Sequence, residues 1–166
     1  THAAACVKHG VKMVIGTTGL NHEQKAEIKK ASAGIPIVFS SNMSVGVNIF
    51  LKLAQMLAEK TPSPYTVKII EAHHIHKKDA PSGTAKTIAE VIESASSKKV
   101  QDIQAIREGE IIGDHKVIFE SPDDTIIIDH HAKNRDIFAK GALVAAKFLE
   151  NKKSGLYTMQ DVLGLN

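Results

Sequence analysis

The chain has 166 residues, a formal net charge of +3, 43% hydrophobic and 23% charged residues, the composition of a globular protein of one medium or two small domains. Aromatic residues make up only 4% and Trp is absent, which argues against a nucleic-acid binder with its basic stripe and stacking rings. The single cysteine, Cys6, excludes an intramolecular disulfide. No apolar run approaches the roughly 18 residues of a membrane span, and the opening residues lack a signal-peptide pattern. A cytoplasmic protein with no membrane or nucleic-acid partner is the expectation.

Thr1 to His9 reads as a helix end closed by Gly10, so the chain is expected to be the later part of a longer protein. Residues 11–15 form a short β-rich run, followed at once by Gly16-Thr-Thr-Gly19. A helix is expected from about 21 to 33, with Asn21 as N-cap, Glu23 in the first turn and Gly34 as the stop. Residues 35–39 read as a buried strand and Ser40-Ser-Asn-Met43 as the turn after it. This alternation is the rhythm of a parallel α/β sheet. The next helix spans about 44–60, with Ile49, Leu53, Met56 and Leu57 marking one face. Thr61-Pro-Ser-Pro64 breaks it, a strand over 65–70 follows, and a further helix runs from Gly83 to about Ser97.

Three β-like runs come next, at 102–107, 115–120 and 125–131, the last two joined by the turn-forming Ser121-Pro-Asp-Asp124. They suggest an antiparallel or mixed sheet. A helix over about 136–151, with Phe138, Ala142, Ala145 and Leu149 in register, and a tail of turn and short helix complete the chain. The fold class is therefore α/β: the C-terminal part of a Rossmann-like parallel-sheet domain (residues 1–44 and 135–166), plus an inserted α+β mixed-sheet domain (residues 45–134).

The chemistry concentrates after the strand at 65–70. His73, His74 and His76 lie within four positions, with Lys77 and Lys78 directly after. Were the strand to continue, His74 and His76 would share one face. Ser82 is a natural N-cap, leaving the N–H groups of Gly83 and Thr84 at a helix start that favours carboxylates and phosphates. Imidazole, ammonium, hydroxyl and N–H groups within twelve residues make a site for an anion that must also receive protons. A solvated strand end is the plain alternative. A metal site is another, with a third ligand from His115, His130 or His131, although Lys77 and Lys78 would repel a cation.

The stretch Glu71-Ala-His-His-Ile-His-Lys-Lys-Asp-Ala-Pro-Ser-Gly-Thr84 closely resembles the signature of the dihydrodipicolinate reductase family. Val14-Ile-Gly-Thr-Thr-Gly19, Asn42-Met-Ser-Val-Gly-Val-Asn48, Ile111-Ile-Gly-Asp-His115 and Asp136-Ile-Phe-Ala-Lys-Gly141 resemble further family stretches, in order. The resemblance implies reduction of 4-hydroxy-tetrahydrodipicolinate or dihydrodipicolinate by NADH or NADPH, in diaminopimelate and lysine biosynthesis. It implies His73 and Lys77 as the proton-donating pair, and His74, Lys77, Ser82, Gly83 and Thr84 as the grip on the two carboxylates of a cyclic substrate. Thr18 would also reach the substrate. Gly16, Thr17, Thr18, Ser40, Ser41, Asn42 and Met43 would line the nicotinamide end of the cofactor, with Arg135 and Phe138 touching it. No metal is implied. The inserted domain would bind substrate and bury its sheet in a homotetramer.

The chain also departs from the family pattern. The Gly-rich dinucleotide fingerprint is missing, which leaves the choice between NADH and NADPH open and makes this polypeptide alone an incomplete enzyme in expectation. Only Ser-Lys-Lys-Val100 joins helix to strand where the family has a longer loop, and Arg107-Glu-Gly109 replaces the usual Arg-Gly-Gly. The readings from other classes are a metal-dependent hydrolase built on the His cluster and a non-catalytic dicarboxylate-binding domain.

Overall fold

Parallel strands need a crossover between them, and the first forty residues supply one. The computed structural model describes residues 1–166. Helix α1 (His2–His9) ends where Gly10 takes a left-handed conformation with φ 64°. Strand β1 (Met13–Ile15) is followed by α2 (His22–Ala31) and β2 (Pro36–Phe39), which pairs with β1 in parallel. The start of α2 is closed by a reciprocal capping box: the Gln24 N–H donates to Asn21 Oδ1 at 2.8 Å and the Asn21 N–H to Gln24 Oε1 at 2.9 Å.

The chain divides into two units, the first comprising Thr1–Asn48 with Asp136–Asn166 and the second Ile49–Arg135. The first holds a three-stranded parallel sheet in the order β1-β2-β7, where β7 is Gly155–Tyr157. The tail was expected to hold only a turn and a short helix. Three residues are too few to show a strand's alternation, and β7 exists because it can pair with residues 36–38. Ile15, Ile28, Ala31, Ile35 and Ile37 form one core cluster of this unit; Val38, Met43, Ala145, Leu149 and Met159 form another. Helix α5 (Asp136–Phe148) ends earlier than its pattern suggests, in a 3-10 turn over Leu149–Asn151, and a short α6 (Met159–Leu163) closes the chain. Phe138, placed in register with the core from sequence, is exposed on α5.

The apolar face expected for α3 (Val45–Lys60) is not its buried face. Ile49, Leu53 and Met56 are 43%, 39% and 46% exposed, while Val47, Phe50, Leu51, Ala54 and Ala58 are buried. This helix is apolar nearly all round, so periodicity alone could not choose between its two stripes.

The second unit holds a four-stranded mixed sheet in the order β4-β3-β5-β6, from β3 (Thr66–His73), β4 (Val100–Arg107), β5 (Asp114–Glu120) and β6 (Thr125–His131). β3 runs parallel to β4, through the crossover helix α4 (Gly83–Ala95), and antiparallel to β5. Alternate residues of the central strands are buried: Val67, Ile69, Glu71 and His73 on β3, and His115, Val117 and Phe119 on β5. Ala85, Ile88 and Ile92 of α4 are buried as well. The opposite sheet face carries cross-strand pairs, Lys68 with Glu120 at 3.4 Å, Lys116 with Asp129 at 3.1 Å and His131 with Asp114 at 2.5 Å, beside an exposed Ile127. In the short connection to β4, the Lys98 ammonium donates to the carbonyls of Ala58 and Thr61, at 3.2 and 2.5 Å. No helix is long and apolar enough to cross a membrane.

Gly141 is the tightest backbone approach in the first unit. A Cβ there would fall on the Met43 carbonyl oxygen, backbone that cannot swing aside. A Gly to Ala change within a helix ordinarily stabilises by up to about 1 kcal/mol. Here Gly141→Ala is expected to destabilise by about 1–3 kcal/mol instead, read as a lower midpoint in urea denaturation.

Candidate active site

Strand β3 ends at His73, so His74, Ile75 and His76 lie in the following turn and do not alternate across a strand. The turn is held by the Lys77 N–H donating to His74 O at 3.1 Å and the Ile75 N–H to Gly109 O at 3.2 Å. It leads through a cis Ala80–Pro81 bond to Ser82, the N-cap of α4.

Glu71, with no exposed surface, lies at the centre of this region. Its Oε2 accepts from Arg107 Nη1 at 2.9 Å and contacts His73 Nδ1; its Oε1 accepts from Arg107 Nη2 at 2.8 Å and from the Ser82 N–H at 3.0 Å. Burial alone would raise the Glu71 pKa, but the hydrogen bonds from Arg107, His73 and Ser82 outweigh it and hold the carboxyl below its ordinary value. Arg107 lies opposite His73 in the β3–β4 register and also donates to the backbone carbonyls of Ile106 and Asp79, each at 2.6 Å.

His73 is 8% exposed. Burial pushes its pKa below the usual imidazole value; the Glu71 hydrogen bond and charge oppose this, and the charges of Lys77 and Arg107 add to it. The His115 ring stands edge-on to it, centroids 5.3 Å apart. Burial drives His115 down to about 4, so it is neutral at physiological pH. Residue 113, in the β4–β5 connection, is glycine; a Cβ there would come within 3.1 Å of His73 Nε2.

The remaining residues expected in the substrate grip are arranged unevenly. Lys77, half-buried, pairs with Asp79 at 2.8 Å. That ammonium is the main cause holding the Asp79 carboxyl below its ordinary value, and the Gly83 backbone contributes too. Ser82 is buried and its hydroxyl is engaged: it accepts from the Ala85 N–H at 3.2 Å and lies 3.4 Å from His115 Nε2. Gly83 is exposed and Thr84 half-buried at the same helix start. His74 Nε2 accepts from Arg135 Nη2 at 3.4 Å, and both residues belong to the second unit.

In the first unit, Gly16, Thr17 and Thr18 follow β1, and Ser40, Ser41, Asn42 and Met43 follow β2. They lie at the C-terminal ends of two adjacent parallel strands, where such sheets bind ligands. Gly16, Thr17, Thr18 and Ser41 are exposed. The second turn is ordered by Ser40 Oγ donating to Asn42 O at 2.9 Å, the Ser44 N–H to Asn42 Oδ1 at 2.9 Å and Asn48 Nδ2 to Asn42 O at 3.0 Å. Met43 is buried against Gly16, and Phe138 is exposed on α5 of the same unit. Exposed small residues over open strand ends suit the flat end of a dinucleotide.

No group of three or more His, Cys, Asp or Glu side chains is arranged to hold a metal ion. The histidines once available as third ligands are otherwise placed: His115 faces Ser82, His130 stands edge-on to Phe50, and His131 pairs with Asp114. Sequence reasoning gave no role to Glu71, Arg107 or Asp79. The signal for Glu71 was available, since residues 71 and 73 of one strand must share a face.

The family model described as dihydrodipicolinate reductase, N-terminus, matches residues 1–43, and its C-terminal counterpart matches residues 46–163. The 4-hydroxy-tetrahydrodipicolinate reductase of Polynucleobacter necessarius is 46% identical over 183 aligned positions, covering 99% of this chain and 69% of that protein. That of Nitrosomonas eutropha is 46% identical with the same coverage. The alignment with the first exceeds the 166 residues here by 17, so that relative has at least 17 residues in the matched region without a counterpart. Among solved structures, a dipicolinate-bound dihydrodipicolinate reductase from Paenisporosarcina sp. TG-14 superposes with a TM-score of 0.81, at 24% identity, over 96% of this chain and 67% of that one.

Breaking the Glu71 pair tests the energetics of the site. Arg107→Met leaves a buried carboxylate with part of its partners, expected to cost about 3 kcal/mol near neutral pH. In the parent chain Glu71 has a lowered folded pKa, so its contribution is present above the ordinary carboxyl pKa and fades as pH falls through the folded value. The gap between variant and parent should therefore shrink on acidification, as measured by denaturant midpoints across pH.

Proposed function

This chain belongs to the dihydrodipicolinate reductase family, and on that premise we propose how its residues divide the work of the reaction. It is an oxidoreductase of diaminopimelate and lysine biosynthesis, using a pyridine nucleotide, and performs the reduction for which its relatives are named. The first unit receives the nicotinamide end of NADH or NADPH on the turns of residues 16–18 and 40–43, with Phe138 and, from the second unit, Arg135 as further contacts. The bound nucleotide supplies the hydride; the residues of the chain bind, orient and protonate.

The substrate class is a small cyclic dicarboxylate, in keeping with the dipicolinate in the Paenisporosarcina protein. One carboxylate is gripped by Lys77 and the start of α4 at Gly83 and Thr84, the other by His74, with Thr18 completing the site. Ser82 contributes through its cap on α4, which presents that helix start. His73 and Lys77 manage the proton that must follow the hydride. The observation that carries this reading is the pairing of Lys77 with Asp79, whose carboxyl also meets the Gly83 backbone at the start of α4, together with the bearing of the Lys77 charge on the carboxylate-backed His73 imidazole. A cation held there is a suitable general acid for a dianionic substrate.

The test is oxidation of NADH and NADPH, followed at 340 nm, by the intact protein with freshly generated substrate. Lys77→Ala and His73→Ala are each expected to lower kcat by about 10²–10⁴-fold; unchanged turnover in both would remove them from the chemistry.

We also assign the outer face of the four-stranded sheet to self-association as a homotetramer in the cytoplasm. Support comes from the exposed Ile127 among paired charges on a broad strand surface. Ile127→Arg is expected to shift the intact protein to smaller species in sedimentation velocity, and an unaltered tetramer would rule that face out.

A further inference from the structure

We propose that Glu71 is a positioning residue for His73: with Arg107 it fixes the imidazole in the tautomer protonated at Nδ1 and leaves Nε2 as the working nitrogen. The inference rests on the reading of His73 as a proton-transfer group. Its basis is a count of donors. A carboxylate offers about four lone-pair sites, and four donors point at Glu71: Nη1 and Nη2 of Arg107, the Ser82 N–H and Nδ1 of His73. Three of these can only donate. A proton on the carboxyl could therefore face only Nδ1, and the two-pronged Arg107 ion pair with the Ser82 N–H keeps the group ionised, so that Nδ1 must be the fourth donor.

Arg107 cannot turn away to release Glu71, because its guanidinium is also tied to the carbonyls of Ile106 and Asp79. The groups bearing on His73 are thus Glu71 on its own strand, Lys77 in the turn, Arg107 on β4 and His115 on β5. His115 is neutral and edge-on, and Glu71 is the one anion among them. Neutral His73 therefore meets the site through the Nε2 lone pair. When Nε2 takes up a proton from water, an N–H bond forms there and the positive charge is held against Glu71. Donation to the reduced substrate breaks that same bond and returns the electron pair to Nε2.

The experiment is long-range proton–nitrogen NMR on the intact protein with ¹⁵N-labelled histidine, the His73 signals assigned by their loss in His73→Gln. The parent is expected to show Nδ1 protonated and Nε2 unprotonated. In Glu71→Gln the signals should move toward the Nε2-protonated form, since an amide can present its NH₂ to Nδ1. The kcat should fall on the order of 100-fold with little change in KM, and the alkaline limb of its pH profile, where the donating imidazolium is lost, should move to lower pH, because the raising influence of Glu71 is gone. Glu71→Asp keeps the charge and should recover part of both. Should Glu71→Gln fold poorly with Arg107 unpaired, the double variant Glu71→Gln/Arg107→Met removes both charges and is read the same way.

An unprotonated Nδ1 in the parent, an unchanged tautomer in a folded variant, or a shifted tautomer with undiminished kcat would each overturn the proposal. A parent protein without turnover would instead refute the reductase reading, and the tautomer measurement would still decide the role of Glu71.

Discussion

A carboxylate with no access to water is costly unless every lone pair meets a donor, and Glu71 imposes that demand on the second unit. The donors come from β3 itself, from the residue that caps α4 and, thirty-six residues from Glu71, from β4. Satisfying one charge thus fixes the pairing of β3 with β4, the position at which α4 begins and the orientation of an imidazole. Apolar burial of Ile69, Ile88, Val117 and Phe119 supplies most of the unit's stability; the charge supplies uniqueness, because a one-residue slip of β4 would carry Arg107 to the other face.

The arrangement places different kinds of chemistry on different kinds of backbone. The imidazole proposed to handle the proton sits at the end of a central strand, paired there with β4. The groups suited to gripping an anion sit on a turn and a helix start. In the first unit the turns at the ends of β1 and β2 offer small exposed residues over a parallel sheet. Strand ends give precision and turns give reach, and each task has been placed accordingly.

Much of this could be read from the chain itself, and what escaped did so for definable reasons. The run from Glu71 to Thr84 marked the site, because its cations and helix start lie close in sequence. Strand-helix-strand rhythm gave the parallel sheet, and turn residues at 121–124 gave the β5–β6 hairpin. Arg107 was missed because its role depends on register between strands more than thirty residues apart. Strand β7 was missed because its pairing is wholly long-range, and the stripe on α3 was misassigned because that helix has two apolar sides. For Ser82, expected from the resemblance to grip a carboxylate, the structure adds the N-cap bond from Ala85 and the neighbouring His115 ring.

Gly113 has a consequence beyond its own loop. A Cβ at residue 113 would come within 3.1 Å of His73 Nε2, so the room beside that nitrogen depends on a segment outside the histidine-bearing motif. The space around the imidazole and the imidazole itself are therefore encoded in separate stretches of chain. A side chain gained at residue 113 would crowd Nε2 while leaving the strand that carries the imidazole and its carboxylate unchanged in sequence.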